Sequence, residues 1–478
     1  MTSRNFPRMA ALLACPLLAV AMPLSAEETP GPPTLQAGHL YTLEELEKIG
    51  LANQPRIKAS IEATRAAKER KGEAFAPYLP TVNAYAEYVR ATYNNSVSTF
   101  LSVPWFPSIG GYSSVDGTRV PAGQLSGFQE PPLSWGSNDS YTGAVVAQYD
   151  IYDFGRRANG LRVAEAGLDA ATADQSVVAE AVLYQIRSAY YGLLAGKALN
   201  VTAEKMLAEA KEHFTWAHEA VKDGLRPPVD ELQAKADVTK AELQLVRAVA
   251  AVRIGRVRLL EAIGEEHGRH IDVAPREVPA DIPQTEEALL DLAYHQRPDY
   301  AELEARRRQS DATVAEVNSE FLPRLWGQAS IEVTGVDPGL PTSISAVPDW
   351  DIGAVLAIPI FEGYLTTHQS REAQAKLSEV VQQQEELKLK IIEQVREAFV
   401  DFKSALEAVA AADANQQAAE EQLHVVEGRY NNGLGSILDL IIAQATAVSA
   451  EDQDVRSRYQ AGRARAFLDL AISSPISQ

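Results

Sequence analysis

The amino-acid sequence predicts a mainly α-helical protein with a small membrane-embedded β component, built as two copies of one unit. Three observations predict it. Landmarks recur at fixed offsets, four segments alternate apolar and polar residues like strands, and the longest segments carry a narrow apolar stripe at coiled-coil spacing.

The repeat organises everything else. At an offset of 243, Thr42 matches Thr285, Pro55 matches Pro298, and Leu79-Pro80 matches Leu322-Pro323. At an offset of 209, Tyr152 matches Phe361, Arg187 matches Arg396, Tyr190 matches Phe399, and Ala262-Ile263 matches Ala471-Ile472. The difference of 34 residues falls in a Gly-, Pro- and Ser-rich stretch from about Val97 to Asp139, which reads as a long surface loop in the first copy.

The expected organisation is residues 1–26 as an export signal, 27–264 as the first copy, 265–284 as a linker and 285–478 as the second. The signal is read from Arg4 and Arg8, the apolar run from Met9 to Leu24, and Leu-Ser-Ala before Glu27. Cys15, the single cysteine, lies inside it; "LLAC" only loosely resembles a lipoprotein box because the apolar stretch before it is short. Once the signal is removed, no thiol remains for disulfides or metal ligation.

Each copy reads as helix, strand, loop, strand and two long helices. The first helix is expected from about Leu43 to Ala76 with a break at Pro55, its counterpart from about Glu286 to Glu320 with a break at Pro298. Leu325, Gly327, Ala329, Ile331 and Val333 then alternate with polar neighbours, and Trp350, Ile352, Ala354, Leu356 and Ile358 line one face of the returning strand. In the first copy Tyr141, Gly143, Val145, Ala147 and Tyr149 form the matching face; the strand after Tyr78 alternates less clearly. Strands of about 12 residues suffice for a tilted membrane crossing.

The helices that follow are very long. Val395, Phe399, Phe402, Leu406 and Val409 step by four and three, as a coiled-coil seam does. From Gly155 to Lys222 a continuous helix would extend about 100 Å at 1.5 Å per residue. One narrow stripe leaves polar faces that require water on more than one side.

Function classes can be excluded on charge and motifs. The formal charge of −20, becoming −22 on loss of Arg4 and Arg8, disfavours nucleic acid. There is no HExxH, GxSxG, P-loop or GxGxxG, so no enzyme activity, cofactor or nucleotide site is expected. His267 and His270 stand three apart beside Glu265 and Glu266 but read as a solvated loop, and no metal site is expected. Only Met206 of the four methionines follows the signal, which disfavours a thioether-lined metal path.

No segment after Ala26 has 18 consecutive apolar residues, so membrane insertion requires a closed barrel. Four strands cannot enclose a pore, whereas three copies supply twelve. A small soluble sheet on a coiled-coil stalk, a structural scaffold without a pore, is the competing arrangement.

Two turns interrupt the long helices at equivalent places: "VKDGLRPPVD" and "RYNNGLGSILD", with Gly224 matching Gly433, Leu225 matching Leu434 and Asp230 matching Asp439. Together with the duplicated Leu-Pro strand entries and the "PIFEG" exit at Pro359 to Gly363, they resemble the TolC-like outer-membrane efflux proteins over about Leu40 to Ile472.

That resemblance implies a trimeric twelve-stranded outer-membrane barrel, four strands per protomer, continued by a periplasmic barrel of coiled-coil helices. It implies a homotrimer working with a periplasmic membrane-fusion adaptor and an inner-membrane pump, proton-driven or ABC. The implied role is passive efflux of drugs or other small molecules, with type I protein secretion as the alternative. Gly224, Leu225, Gly433 and Leu434 are placed at the adaptor-docking tips. Tyr430 takes the position of the family's gating tyrosine, Asp230 that of its acidic hydrogen-bond partner, and Asp439 that of a constriction carboxylate. Gly435 stands where an arginine is expected and Ile442 where a second constriction aspartate is. Both aspartates also suit helix starts, where Asp commonly caps.

Overall fold

The computed structural model describes residues 38–92, 137–266, 271–337, 345–432 and 434–473. The export signal, nearly all of the long loop, His267, His270 and Gly433 lie outside the described residues.

The proline breaks fall where expected and give four helices: α1 (Leu43–Asn53) and α2 (Pro55–Phe75) in the first half, α5 (Glu286–Gln296) and α6 (Pro298–Ser319) in the second. Proline at the first helical position loses no hydrogen bond, so each break costs little. Thr42 opens α1 with a capping box completed by Glu45, and the Thr285 hydroxyl caps α5.

The residue before each proline has a second task. Gln54 donates its side-chain amide to the Ala262 carbonyl at 3.0 Å, and Arg297 donates to the Ala471 carbonyl at the same distance. These carbonyls end α4 (Pro228–Ala262) and α8 (Ile437–Ile472), whose last carbonyls have no partner within the helix. The broken helix is thereby pinned to the far end of its own hairpin.

The long helices are α3 (Arg156–Lys222) and α7 (Leu365–Asn431), 67 residues each. Each is entered through left-handed backbone: Phe154 and Gly155 before α3, Gly363 and Tyr364 before α7. α3 pairs with α4, and α7 with α8, as two coiled-coil hairpins. In the second seam Val395 and Phe402 are fully buried, with Phe399, Leu406 and Val409 packed against them.

Two apolar cores form where short helices meet long ones. The first gathers Leu46 and Ile49 of α1, Ile186, Tyr190 and Leu193 of α3, and Leu259 of α4. Beside it the two-residue strands β1 (Leu40–Tyr41) and β4 (Asp272–Val273) pair in parallel. The second core gathers Leu289 and Ala293 of α5 with Ile391, Val395 and Phe402 of α7 and Leu468 of α8. Beyond these belts the hairpins are held chiefly by alanine contacts, such as Ala419 with Ala447 and Ala450.

At the other end stands one antiparallel sheet in the order β2 (Thr81–Thr92), β3 (Ser137–Tyr152), β5 (Arg324–Asp337) and β6 (Ser345–Ala357). β3 and β6 start four residues before Tyr141 and Asp349, because ladder pairing continues past the end of the apolar alternation. The register assembles one apolar face from Val82, Ala84, Tyr88, Tyr141, Val145, Ile331, Val333, Trp350 and Ile352. The opposite face carries Asn83, Glu87, Thr142, Gln148, Gln328, Glu332, Asp349 and Asp351. β2 and β6 each leave one edge unpaired among the described residues.

Candidate functional site at the helical tips

The end of each hairpin opposite the sheet follows from the backbone needs of a reversing helix. α3 ends at Lys222, and Gly224 takes φ +70° to turn the chain. The Leu225 amide then donates to the Ala220 carbonyl and the Gly224 amide to the Val221 carbonyl, the paired bonds of a Schellman motif. Pro227 and Pro228 follow and start α4. In the second hairpin the Leu434 amide donates to the Arg429 carbonyl at 2.9 Å, the same distance as its counterpart.

Both leucines project into solvent, Leu225 at 77% and Leu434 at 75% exposure, so each tip offers an apolar side chain that the protomer does not cover.

Just inside the tips the surroundings change. Tyr430, near the end of α7, is 2% exposed and Asp230, in the first turn of α4, is 4% exposed. Tyr430 packs at 5.1 Å, ring centroid to centroid, on Trp216 of α3. The Arg226 guanidinium lies over the Tyr430 ring at 4.6 Å and reaches the Trp216 ring at 5.8 Å. Burial pushes the pKa of the Tyr430 hydroxyl up; the nearby Asp230 carboxylate adds to this and Arg226 opposes it.

Three features of the geometry bear on the residues singled out from the sequence. The Tyr430 hydroxyl has no hydrogen-bond partner among the described residues, so no bond from Tyr430 to Asp230 is made within the chain. Asp230 makes no side-chain cap to α4, whose cap position is Pro227. Asp439, which from its sequence setting looks buried, is exposed in the protomer and completes a capping box with Ser436, accepting from the Ser436 amide at 3.3 Å. The structure thus brings Asp230 and Tyr430 close, and places Asp439 on the exposed first turn of α8.

Trp216 and Arg226 were not singled out in the sequence. A signal for Arg226 existed: it stands 209 residues before Gly435, the position from which an arginine is missing. A Cβ at Gly435 would approach the Tyr430 backbone nitrogen to 3.2 Å, so the second tip is closed up where the first carries its cation.

An amphipathic sheet with open edges, standing on helices of this length, defines the protomer of an outer-membrane channel with a periplasmic helical extension. A family model described as outer membrane efflux protein matches residues 48–265 and 289–474, and the chain belongs to that family, located in the outer membrane and extending into the periplasm.

Among its relatives, the pyoverdine export outer membrane protein OpmQ of Pseudomonas aeruginosa is 24% identical over 427 residues, 87% of this chain and 81% of that protein. Nodulation protein T of Rhizobium leguminosarum bv. trifolii is 23% identical over 374 residues, 76% of this chain and 77% of the relative. The Campylobacter jejuni CmeC outer membrane channel has a similar fold, with a TM-score of 0.72, 18% identity and coverage of 90% of this chain and 85% of CmeC.

Proposed function

We propose that the chain is the passive exit duct of a tripartite efflux system, conducting small molecules handed over by a periplasmic adaptor and an inner-membrane pump. The single observation that carries this reading is the sheet. Its two faces differ in polarity, and β2 and β6 are left with unpaired edges. In lipid such edges must be paired, and three copies joined edge to edge make a twelve-stranded barrel with the apolar face outward and the polar face lining water. The hairpins of the same three copies would continue the duct, each copy contributing the two repeated units 27–264 and 285–478 through the linker 265–284.

The tips supply the rest. Leu225 and Leu434, next in sequence to Gly224 and Gly433, offer the apolar contacts that suit adaptor docking. Asp230 and Tyr430, buried just inside, stand where the entrance would be held narrow, and Asp439, exposed in the protomer, would offer one carboxylate per copy to the permeating solute. The pyoverdine exporter among the relatives supports small-molecule cargo.

Planar-bilayer recording from the purified, full-length protein tests the duct. Discrete, ohmic single-channel steps from the wild-type protein are expected. Absence of any conductance step, from protein that inserts into the bilayer, would overturn the reading.

A further inference from the structure

We propose that Arg226, seated on the rings of Tyr430 and Trp216, is the positioning residue that ties the first helical hairpin to the second and thereby sets how far the duct entrance opens. The proposal rests on the duct reading above and adds a residue, a partner pair and a type of force to it.

Three observations carry it. First, the contact joins two hairpins: Arg226 lies in the turn between α3 and α4, Trp216 on α3 and Tyr430 on α7. The Trp216 and Tyr430 rings also meet directly across the same two hairpins, and the Tyr430 hydroxyl is without a partner among the described residues. The face of the ring, rather than its oxygen, is therefore the part that is held.

Second, the electrostatics are favourable. A guanidinium over an aromatic face is attracted by the negative face of the ring quadrupole, and here Tyr430 is 2% exposed, Arg226 half-buried and Trp216 43% exposed, so the Tyr430 side of the contact is the drier one. Arginine also stacks flat in a way that lysine cannot, and it stays charged at all relevant pH. Asp230, four residues after Arg226 and 4% exposed, places a carboxylate near the same ring and complements the cation.

Third, the repeat gives the arrangement a handedness. The position equivalent to Arg226 in the second hairpin is Gly435, those equivalent to Trp216 and Tyr430 are Val425 and Val221, and a Cβ added at Gly435 would crowd the Tyr430 backbone. One hairpin donates the cation and one ring, the other receives them on its tyrosine. Three copies around an axis would carry three such ties, each inside a protomer, so the two hairpins of a protomer are locked together before any contact between protomers is made.

A tie of this kind shifts the ratio of open to closed entrances by about 5- to 30-fold when it is lost. The test uses the full-length protein in planar bilayers, with native mass in detergent as the folding control. Arg226→Gln, Trp216→Leu and Tyr430→Leu should each increase the time spent at the larger conductance level by about that factor. Arg226→Lys should restore part of the closure lost in Arg226→Gln, and Tyr430→Phe part of that lost in Tyr430→Leu, because each keeps the cation or the ring face.

Wild-type gating in all three disruptive variants, from protein that conducts normally, would overturn the tie and leave the duct standing. Tyr430→Phe as open as Tyr430→Leu would also overturn it, by assigning the constraint to the hydroxyl. Failure of the wild-type protein to conduct would instead remove the duct reading on which the tie depends.

Discussion

Leu225 and Leu434 stand 209 residues apart in the chain yet occupy the same place in their hairpins, each with its amide bonded 2.9 Å from the carbonyl five residues back and its side chain in solvent. The protomer gains nothing from exposing either leucine, which suits both to contact with a partner. Leu225→Glu combined with Leu434→Glu is expected to abolish adaptor-dependent export in cells. The amount and native mass of the protein in outer membranes should stay unchanged. Normal export by the double variant would remove the tips from docking.

Two glycines with left-handed backbone separate strain from collision. Gly224 has open space around its missing side chain, so Gly224→Ala costs only the left-handed conformation, about 1–2 kcal/mol. At Gly264 the same substitution places a Cβ 2.7 Å from the Gln54 Cα, adding about 1–3 kcal/mol of overpacking at the pin between α1, α2 and α4. Thermal unfolding in detergent should show the larger drop for Gly264→Ala.

Alkaline sensitivity is expected at Tyr190. Its buried hydroxyl donates to the Ala274 carbonyl at 2.8 Å, and burial pushes its pKa up to about 12. The folded state therefore favours the neutral phenol. Its contribution is complete below pH about 10, the ordinary tyrosine value, and is lost as pH rises from there to about 12. Tyr190→Phe should lose about 1 kcal/mol at neutral pH from the abandoned carbonyl and show a shallower fall in unfolding temperature across that alkaline window.

Asp439 can be tested for two roles at once. As part of the capping box with Ser436 it stabilises the start of α8, and as an exposed carboxylate near the tip it favours cations. Asp439→Asn is expected to move the reversal potential in a salt gradient toward zero. Ser436→Ala should weaken the tip by about 1 kcal/mol without altering selectivity. Unchanged selectivity in Asp439→Asn would leave it only the capping role.

Much of this architecture was legible in the sequence because it depends on local rules. Pro55 and Pro298 announce helix breaks, and the four-three spacing through Val395, Phe402 and Val409 announces a seam. Alternation announced the strands, though not their full length, because ladder hydrogen bonds form without regard to side-chain polarity at Ser137 or Ser345. What escaped depends on distant partners. Nothing local marks Gln54 or Arg297 as caps for Ala262 and Ala471, two hundred residues away for one and well over a hundred for the other.

The tip shows the same division. The glycine turns and the exposed leucines follow from spacing, whereas the seating of Arg226 on Tyr430 depends on how two hairpins lie side by side. Asp439 follows a turn within an apolar run; in the protomer its first-turn position is exposed, and its partner is Ser436 three residues earlier.

In the proposed barrel the unpaired edges of β2 and β6 are joined by further copies of the same chain. Native mass of the protein extracted from outer membranes in detergent tests it most directly. A particle of three copies is expected. A monomer, or a protein that remains soluble without detergent, would contradict the shared barrel and with it the duct.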